Sequence, residues 1–189
     1  MIMPALVALL FYLAQPFWET KTPDQWTNQE IETIRTNSPW AQGVGPEPGV
    51  LVYFATAAPV EEAENELRFR SKQALHPEDP DYLSFLSQNR EKYFVLAIPY
   101  PSLAKLGKAE EEKRLEEETV MVIGRKKFKM VGHFPPVPSD PTLRLVFPRE
   151  IQPTDKRVIF RLSLPGIDFP DRDAEFNVKE LIYRGKLAV

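Results

Sequence analysis

The chain contains no cysteine. Disulfides, thiolate metal sites and cysteine nucleophiles are therefore excluded, and the core must hold by packing alone. The same absence removes the residue by which a bacterial lipoprotein would be anchored. Histidine is nearly missing too: His76 and His133 are the two present, and neither has the H-x-x-x-H or H-E-x-x-H spacing of a helical zinc site. His76 precedes Pro77 at a helix end and His133 precedes Phe134-Pro135-Pro136 in a turn, so both read as loop or capping residues. No metal and no cofactor is expected. A G-x-S-x-G elbow, a P-loop and a G-x-G-x-x-G are all absent. Gly43-Val44-Gly45-Pro46 lacks the basic residue and the following helix that phosphate binding requires. Glycine is scarce, eight residues against nineteen prolines. Proline at about double its usual share rules out long uninterrupted helices and implies short elements joined by stiff turns. A net charge of −3 is too small to imply a polyanionic or polycationic partner.

What is present is the composition of a folded protein. With 189 residues, 43% hydrophobic and 27% charged, the chain can bury one sizeable core and suits a single domain. Met1 to Ala14 read MIMPALVALLFYLA without a charge and give way to a polar, Trp-containing stretch. A run of this length fits the h-region of a secretory signal peptide and is short of the roughly 20 residues a membrane-spanning helix needs. The expected division is a signal peptide over 1–14 and a single α+β domain over 15–189. The mature protein would be periplasmic or secreted, with no stable membrane insertion after processing. Two features oppose cleavage after Ala14: no Lys or Arg precedes the apolar run, and Tyr12 stands where a small residue is preferred. A retained apolar anchor and a buried N-terminal segment are the alternatives.

Helical and strand patterns mix over the first two thirds. Thr27 with Glu30 is a capping-box pattern, and Ile31 with Ile34 gives a short apolar stripe, so a helix is expected over Thr27 to Thr36, ending at Asn37-Ser38-Pro39. Val50 to Thr56, behind the Gly43 to Gly49 loop, reads as a buried strand. Val60, Ala63, Leu67 and Ala74 recur at helical spacing. Asp79-Pro80 opens another helix, with Tyr82, Phe85, Leu86 and Asn89 on one face. Tyr93 to Ile98 reads as a central strand, and Ser102 to Glu118 as a helix broken at Gly107, its run Glu110 to Glu118 forming a solvated face. Thr119 to Ile123 and Lys127 to Val131 flank the turn Gly124-Arg125-Lys126 as a hairpin.

The final third reads as strands alone. Leu143, Leu145 and Phe147 alternate with positions expected to be polar or exposed. Val158, Phe160, Leu162 and Leu164 alternate with Arg157, Arg161 and Ser163. Ala174, Phe176 and Val178 hold one parity, whereas Leu181, Tyr183, Leu187 and Val189 hold the other, so a bulge or tight turn is required at Lys179-Glu180. The last three strands are expected to pair antiparallel, in a mainly antiparallel sheet on which the short helices pack.

Trp26-Thr27, Asn37-Ser38-Pro39-Trp40-Ala41 and Tyr183-Arg184-Gly185-Lys186-Leu187 together resemble a family of uncharacterised exported bacterial proteins with this layout along nearly the whole chain. The resemblance implies export and a common fold. It carries over no catalytic residue.

Candidate functional residues fall into three groups. Asp155, Asp168, Asp171 and Asp173 lie in expected loops between the terminal strands, where an exported hydrolase could place paired carboxylates, although Asp is also the ordinary turn residue. Arg125, Lys126, Lys127 and Lys129 form a basic hairpin with Phe128 alone interleaved; charged edges of this kind guard against aggregation, and nucleic acid is not expected as a partner. All three tryptophans lie in the first quarter, and Trp26 and Trp40 either staple the first helix onto the sheet or form an exposed contact platform beside the Gly43 to Gly49 loop. Two functions follow. The first is a non-catalytic binding or envelope-associated role through Trp26 and Trp40, toward an unknown protein or envelope component; the second is an exported hydrolase using loop carboxylates.

Overall fold

The computed structural model describes residues 15–47, 49–71, 80–99, 109–138, 140–167 and 169–189. The run 1–14 read as a signal peptide lies outside the described residues, as do Ala74, His76, Asp79, Gly107 and Asp168.

Among the described residues, two antiparallel sheets face one another, as the alternating strands require. One has the order β1 (Ala41–Val44), β2 (Val50–Phe54), β3 (Tyr93–Pro99), β7 (Thr142–Pro148), β6 (Gly132–Phe134). The other runs β5 (Lys126–Lys129), β4 (Val120–Ile123), β8 (Arg157–Ser163), β9 (Asp171–Asn177). Their edges approach each other on both sides. Gln42 Nε2 of β1 donates to the Glu175 carbonyl of β9 at 2.7 Å. Past β5 the chain bends, and Val131 N donates to the Val146 carbonyl of β7 at 2.9 Å, the corner by which one strand run serves both sheets.

Every second residue of the strands points between the sheets. Phe54, Phe94 and Phe147 meet Phe160 and Phe176 there, and Phe160 lies 5.6, 5.9, 5.1 and 6.0 Å, centroid to centroid, from Phe54, Phe94, Phe147 and Phe176. Val158, Phe160 and Leu162 face this core, as their alternation predicts. β8 and β9 pair antiparallel from Arg157↔Asn177 to Ser163↔Asp171. The strand before them does not join them: β7 pairs with β3 and β6 in the opposite sheet. The connection after Pro148, with Pro153 in it, carries the chain across the sandwich instead of folding it back as a hairpin.

Short helices, the first of them α1 (Phe17–Thr20), cover what the sheets leave open. In α2 (Asn28–Thr36) the Thr27 hydroxyl accepts from Glu30 N at 3.1 Å and the Glu30 carboxylate accepts from Thr27 N at 2.8 Å, closing the expected capping box. Ile31 and Ile34 point inward beside Val60 and Ala63 of α3 (Ala58–Arg70). α4 (Pro80–Asn89) lays Tyr82 and Leu86 on Val95 and Val146, over the outer face of the five-stranded sheet. α5 (Ala109–Glu118) is fixed by Leu115, which is buried in the main core beneath an otherwise mostly charged helix. The hairpin β4–β5 turns at Gly124-Arg125, with Lys126 already in the strand. The parity change after β9 is made by a 3₁₀ turn over Val178–Glu180, followed by a small hairpin of β10 (Ile182–Tyr183) and β11 (Lys186–Leu187). Among the described residues no helix is long and apolar enough to cross a membrane.

Candidate functional site

The two tryptophans read as either a staple or a contact platform are inside the protein. Trp26 is 2% exposed and Trp40 is fully buried, so neither offers a platform to a partner, and the arrangement is the stapling alternative. Trp40 follows the end of α2, and its ring lies edge-on to Trp18 at 5.6 Å and to Tyr183 at 5.9 Å. Its indole N–H reaches the Leu181 carbonyl at 3.4 Å. Tyr183 in turn donates its hydroxyl to Glu62 of α3 at 2.5 Å. Burial, then this bond to a carboxylate, raises the Tyr183 phenol well above its ordinary range. Arg184, at φ +48°, donates its backbone N–H to Glu19 at 3.1 Å and stacks its guanidinium over the Tyr183 ring. The segments around Trp40 and Tyr183, far apart in the chain, thus meet in one structural knot. Their chemistry is consumed by packing.

The Gly43 to Gly49 loop is engaged as well. Gly43 and Val44 belong to β1, and Gly45, at φ +81°, sits over Arg172 of β9. Arg172 is 4% exposed and donates to the Val44 and Pro46 carbonyls at 3.2 and 3.5 Å. The hairpin tip is tied to the opposite sheet by a buried cation.

The carboxylates expected in loops do not gather, and Asp171 and Asp173 lie in strand β9, not in a loop. Asp155 accepts from Gln152 N at 2.8 Å, Asp171 meets Arg114 of α5 at 3.3 Å, and Asp173 stands 3.9 Å from Arg161. His133 is on the edge strand β6 and not in a turn, its Nε2 3.3 Å from Glu112 and its Nδ1 3.6 Å from Glu116. Glu112 and Glu116 are one helical turn apart, whereas Arg114 lies two residues from each and faces the other side of α5. His133 and Asp171 are therefore separated by the helix. A cleft of about 260 Å³ beside Arg114 is lined by Glu111, Ser163 and Pro170, and it holds one carboxylate among the described residues. No group of three or more His, Cys, Asp or Glu placed to hold a metal occurs among the described residues.

Sequence reading missed a buried ion pair. Arg144 of β7 meets Asp140 at 2.7 Å, at an angle off that of a hydrogen bond, with both side chains less than a tenth exposed. The guanidinium lies 4.3 Å from the Tyr82 ring centroid of α4. Both parities of β7 are buried, so the expectation of exposed positions between Leu143, Leu145 and Phe147 fails: α4 covers the second face. Nearby Tyr53 has its phenol pushed up to about 12, first by burial and then by Glu64. The one available signal was the i,i+4 spacing of Asp140 and Arg144.

The outer face of the four-stranded sheet is different. Register places Lys127, Val122, Ile159 and Glu175 in one cross-strand row, and Lys129, Val120, Arg161 and Asp173 in the next. The charged members are exposed and the aliphatic ones half-buried. α5 reaches this face at one end, through Arg114 and Asp171. A shallow groove of about 470 Å³ crosses it, with Val122 and Ile159 on its floor and Lys156, Arg157 and Arg161 along its wall. Comparison with protein-family models, with curated proteins and with solved structures finds no match.

Proposed function

We propose that this is an exported, non-catalytic protein that works by surface contact, as a binding or envelope-associated module, and that its contact surface is the outer face of the four-stranded sheet. One observation carries the reading: the outer face of the five-stranded sheet is covered by Tyr82 and Leu86 of α4, while the corresponding face of the four-stranded sheet leaves Val120, Val122 and Ile159 half-exposed among charges. An apolar strip with a polar rim is the anatomy of a contact site. His133 is separated from Asp171 by α5, and Asp155 and Asp173 meet Gln152 and Arg161 instead, which gives a carboxylate hydrolase no support. Export rests on the uncharged run Met1 to Ala14.

The contact reading is tested with Ile159→Asp, compared with wild type for co-fractionation with the native host's envelope or with a protein partner. The variant should keep its melting temperature and lose the association. Retained association places the contact elsewhere. Export is checked by N-terminal sequencing of protein from the native host, with a start near Gln15 expected and an intact Met1 in the cytosol contradicting it.

A further inference from the structure

We infer that the partner segment received by this face is both acidic and apolar, a stretch of another protein whose carboxylates reach the lysines beside the groove while its apolar side chains cover the Val122–Ile159 floor. This rests on the contact reading above and adds the chemistry of the partner.

Charge is the first argument. Acidic residues outnumber basic ones in the whole chain, 27 to 24, yet the face reverses that balance. Its acids are already partnered: Glu175 meets Arg157 at 3.1 Å, Asp173 stands 3.9 Å from Arg161, and Asp155 accepts from Gln152 N. Lys127, Lys129 and Lys156 form no ion pair among the described residues. The positive surplus therefore belongs to lysines beside the apolar strip, on β5, and at its end, where Lys156 immediately precedes β8. Protection of a sheet edge explains Lys127 and Lys129 on β5. It explains neither Lys156 at the end of the strip nor the half-buried Val120, Val122 and Ile159 in it.

Geometry narrows the ligand. β5 and β8 are separated by β4 alone, so Lys127 of β5 stands about 10 Å from Ile159 across the strip at the usual strand spacing. A single peptide segment covers that width, turning apolar side chains to the floor and carboxylates sideways to the lysines of β5. Nucleic acid supplies the negative charge without the aliphatic groups. An anionic bilayer is flat, and it would meet Asp173 and Glu175 on the same face.

The test uses the full-length protein and a fluorescent peptide rich in glutamate and leucine, followed by anisotropy at low and high salt. Saturable binding is expected, weakening about tenfold or more on charge reversal by Lys127→Glu with Lys129→Glu, and weakening in high salt. Ile159→Ser should also weaken binding while leaving the salt dependence in place. Both variants should keep the wild-type melting temperature, since the residues are on the solvent side. The inference is overturned by absent binding, by equal binding of a lysine–leucine peptide, or by indifference to the lysine reversals. It is equally overturned if phosphatidylglycerol vesicles or a single-stranded oligonucleotide bind as well as the acidic peptide. Should any of these occur while Ile159→Asp still abolishes the native association, the acidic partner is wrong and the contact reading stands. If Ile159→Asp is also without effect, both fall.

Discussion

Gly45→Ala tests how the two sheets are tied together. Gly45 has φ +81°, and a Cβ at this position falls 1.8 Å from Arg172 Nη1 and 2.8 Å from its Cζ. The left-handed backbone alone costs a non-glycine residue roughly 1–2 kcal/mol. The guanidinium must also move, and because Arg172 is 4% exposed and bonded to the Val44 and Pro46 carbonyls, moving it sacrifices charged hydrogen bonds worth about 1.5–3 kcal/mol. Together the variant should lose about 3–5 kcal/mol in urea denaturation, with an unchanged m-value. Gly43→Ala is the internal control: it has no heavy atom within 4 Å of its Cβ and should change stability by less than about 1 kcal/mol. In the Arg172→Ala background the clash disappears, so Gly45→Ala should then cost little more than its backbone strain, and the double-mutant cycle should show strong coupling. Equal costs at Gly43 and Gly45, or additivity with Arg172→Ala, would refute the reasoning.

Phe160→Ala, at the centre of five packed phenylalanines, should cost about 3–5 kcal/mol, whereas Arg161→Ala, an exposed residue with a loose ion pair, should cost well under ~1 kcal/mol; thermal denaturation separates the two. Trp40→Ala should lower the melting temperature steeply, by a loss of about 3–5 kcal/mol, and an unchanged melting temperature would place the ring outside the core. At high pH the protein should lose stability: the Tyr53 phenol titrates at about 12 when folded against about 10 unfolded, so the folded state holds the proton longer. That contribution, about 2–3 kcal/mol, is complete below pH ~10 and vanishes as pH rises through about 12, and Tyr53→Phe should remove it from an alkaline unfolding series. Tyr183, shifted in the same direction, adds to the wild-type drop.

The fold was legible where local pattern and tertiary burial agree. Thr27 and Glu30 carry their capping geometry in two side chains a turn apart, so the start of α2 follows from the letters. The parity change between Val178 and Leu181 likewise demanded the turn found at Val178–Glu180. β7 shows where pattern ends. Its Leu-Arg-Leu-Val-Phe alternation reads as a one-sided strand, yet α4 buries Arg144 and Val146 from the other side, and nothing within seven residues announces a helix placed sixty residues earlier. Trp40 was ambiguous for the same reason: its exposure depends on Tyr183 and Leu181, more than 140 positions away. The candidate contact face was half visible. Lys127 and Lys129 were readable as a charged hairpin edge, but Ile159 joins them through the pairing of β4 with β8, which local sequence does not encode.

The most direct test of the contact face exploits the absence of native cysteine. A single thiol introduced by Ile159→Cys reports on the groove floor, and one introduced by Leu83→Cys reports on an exposed position of α4. Maleimide labelling rates are compared between the purified protein and native host extract. The account predicts that the residue 159 thiol reacts several-fold more slowly in the extract, with protection lost at high salt, while the residue 83 thiol reacts at the same rate in both. Equal rates at residue 159 in the two settings would contradict it.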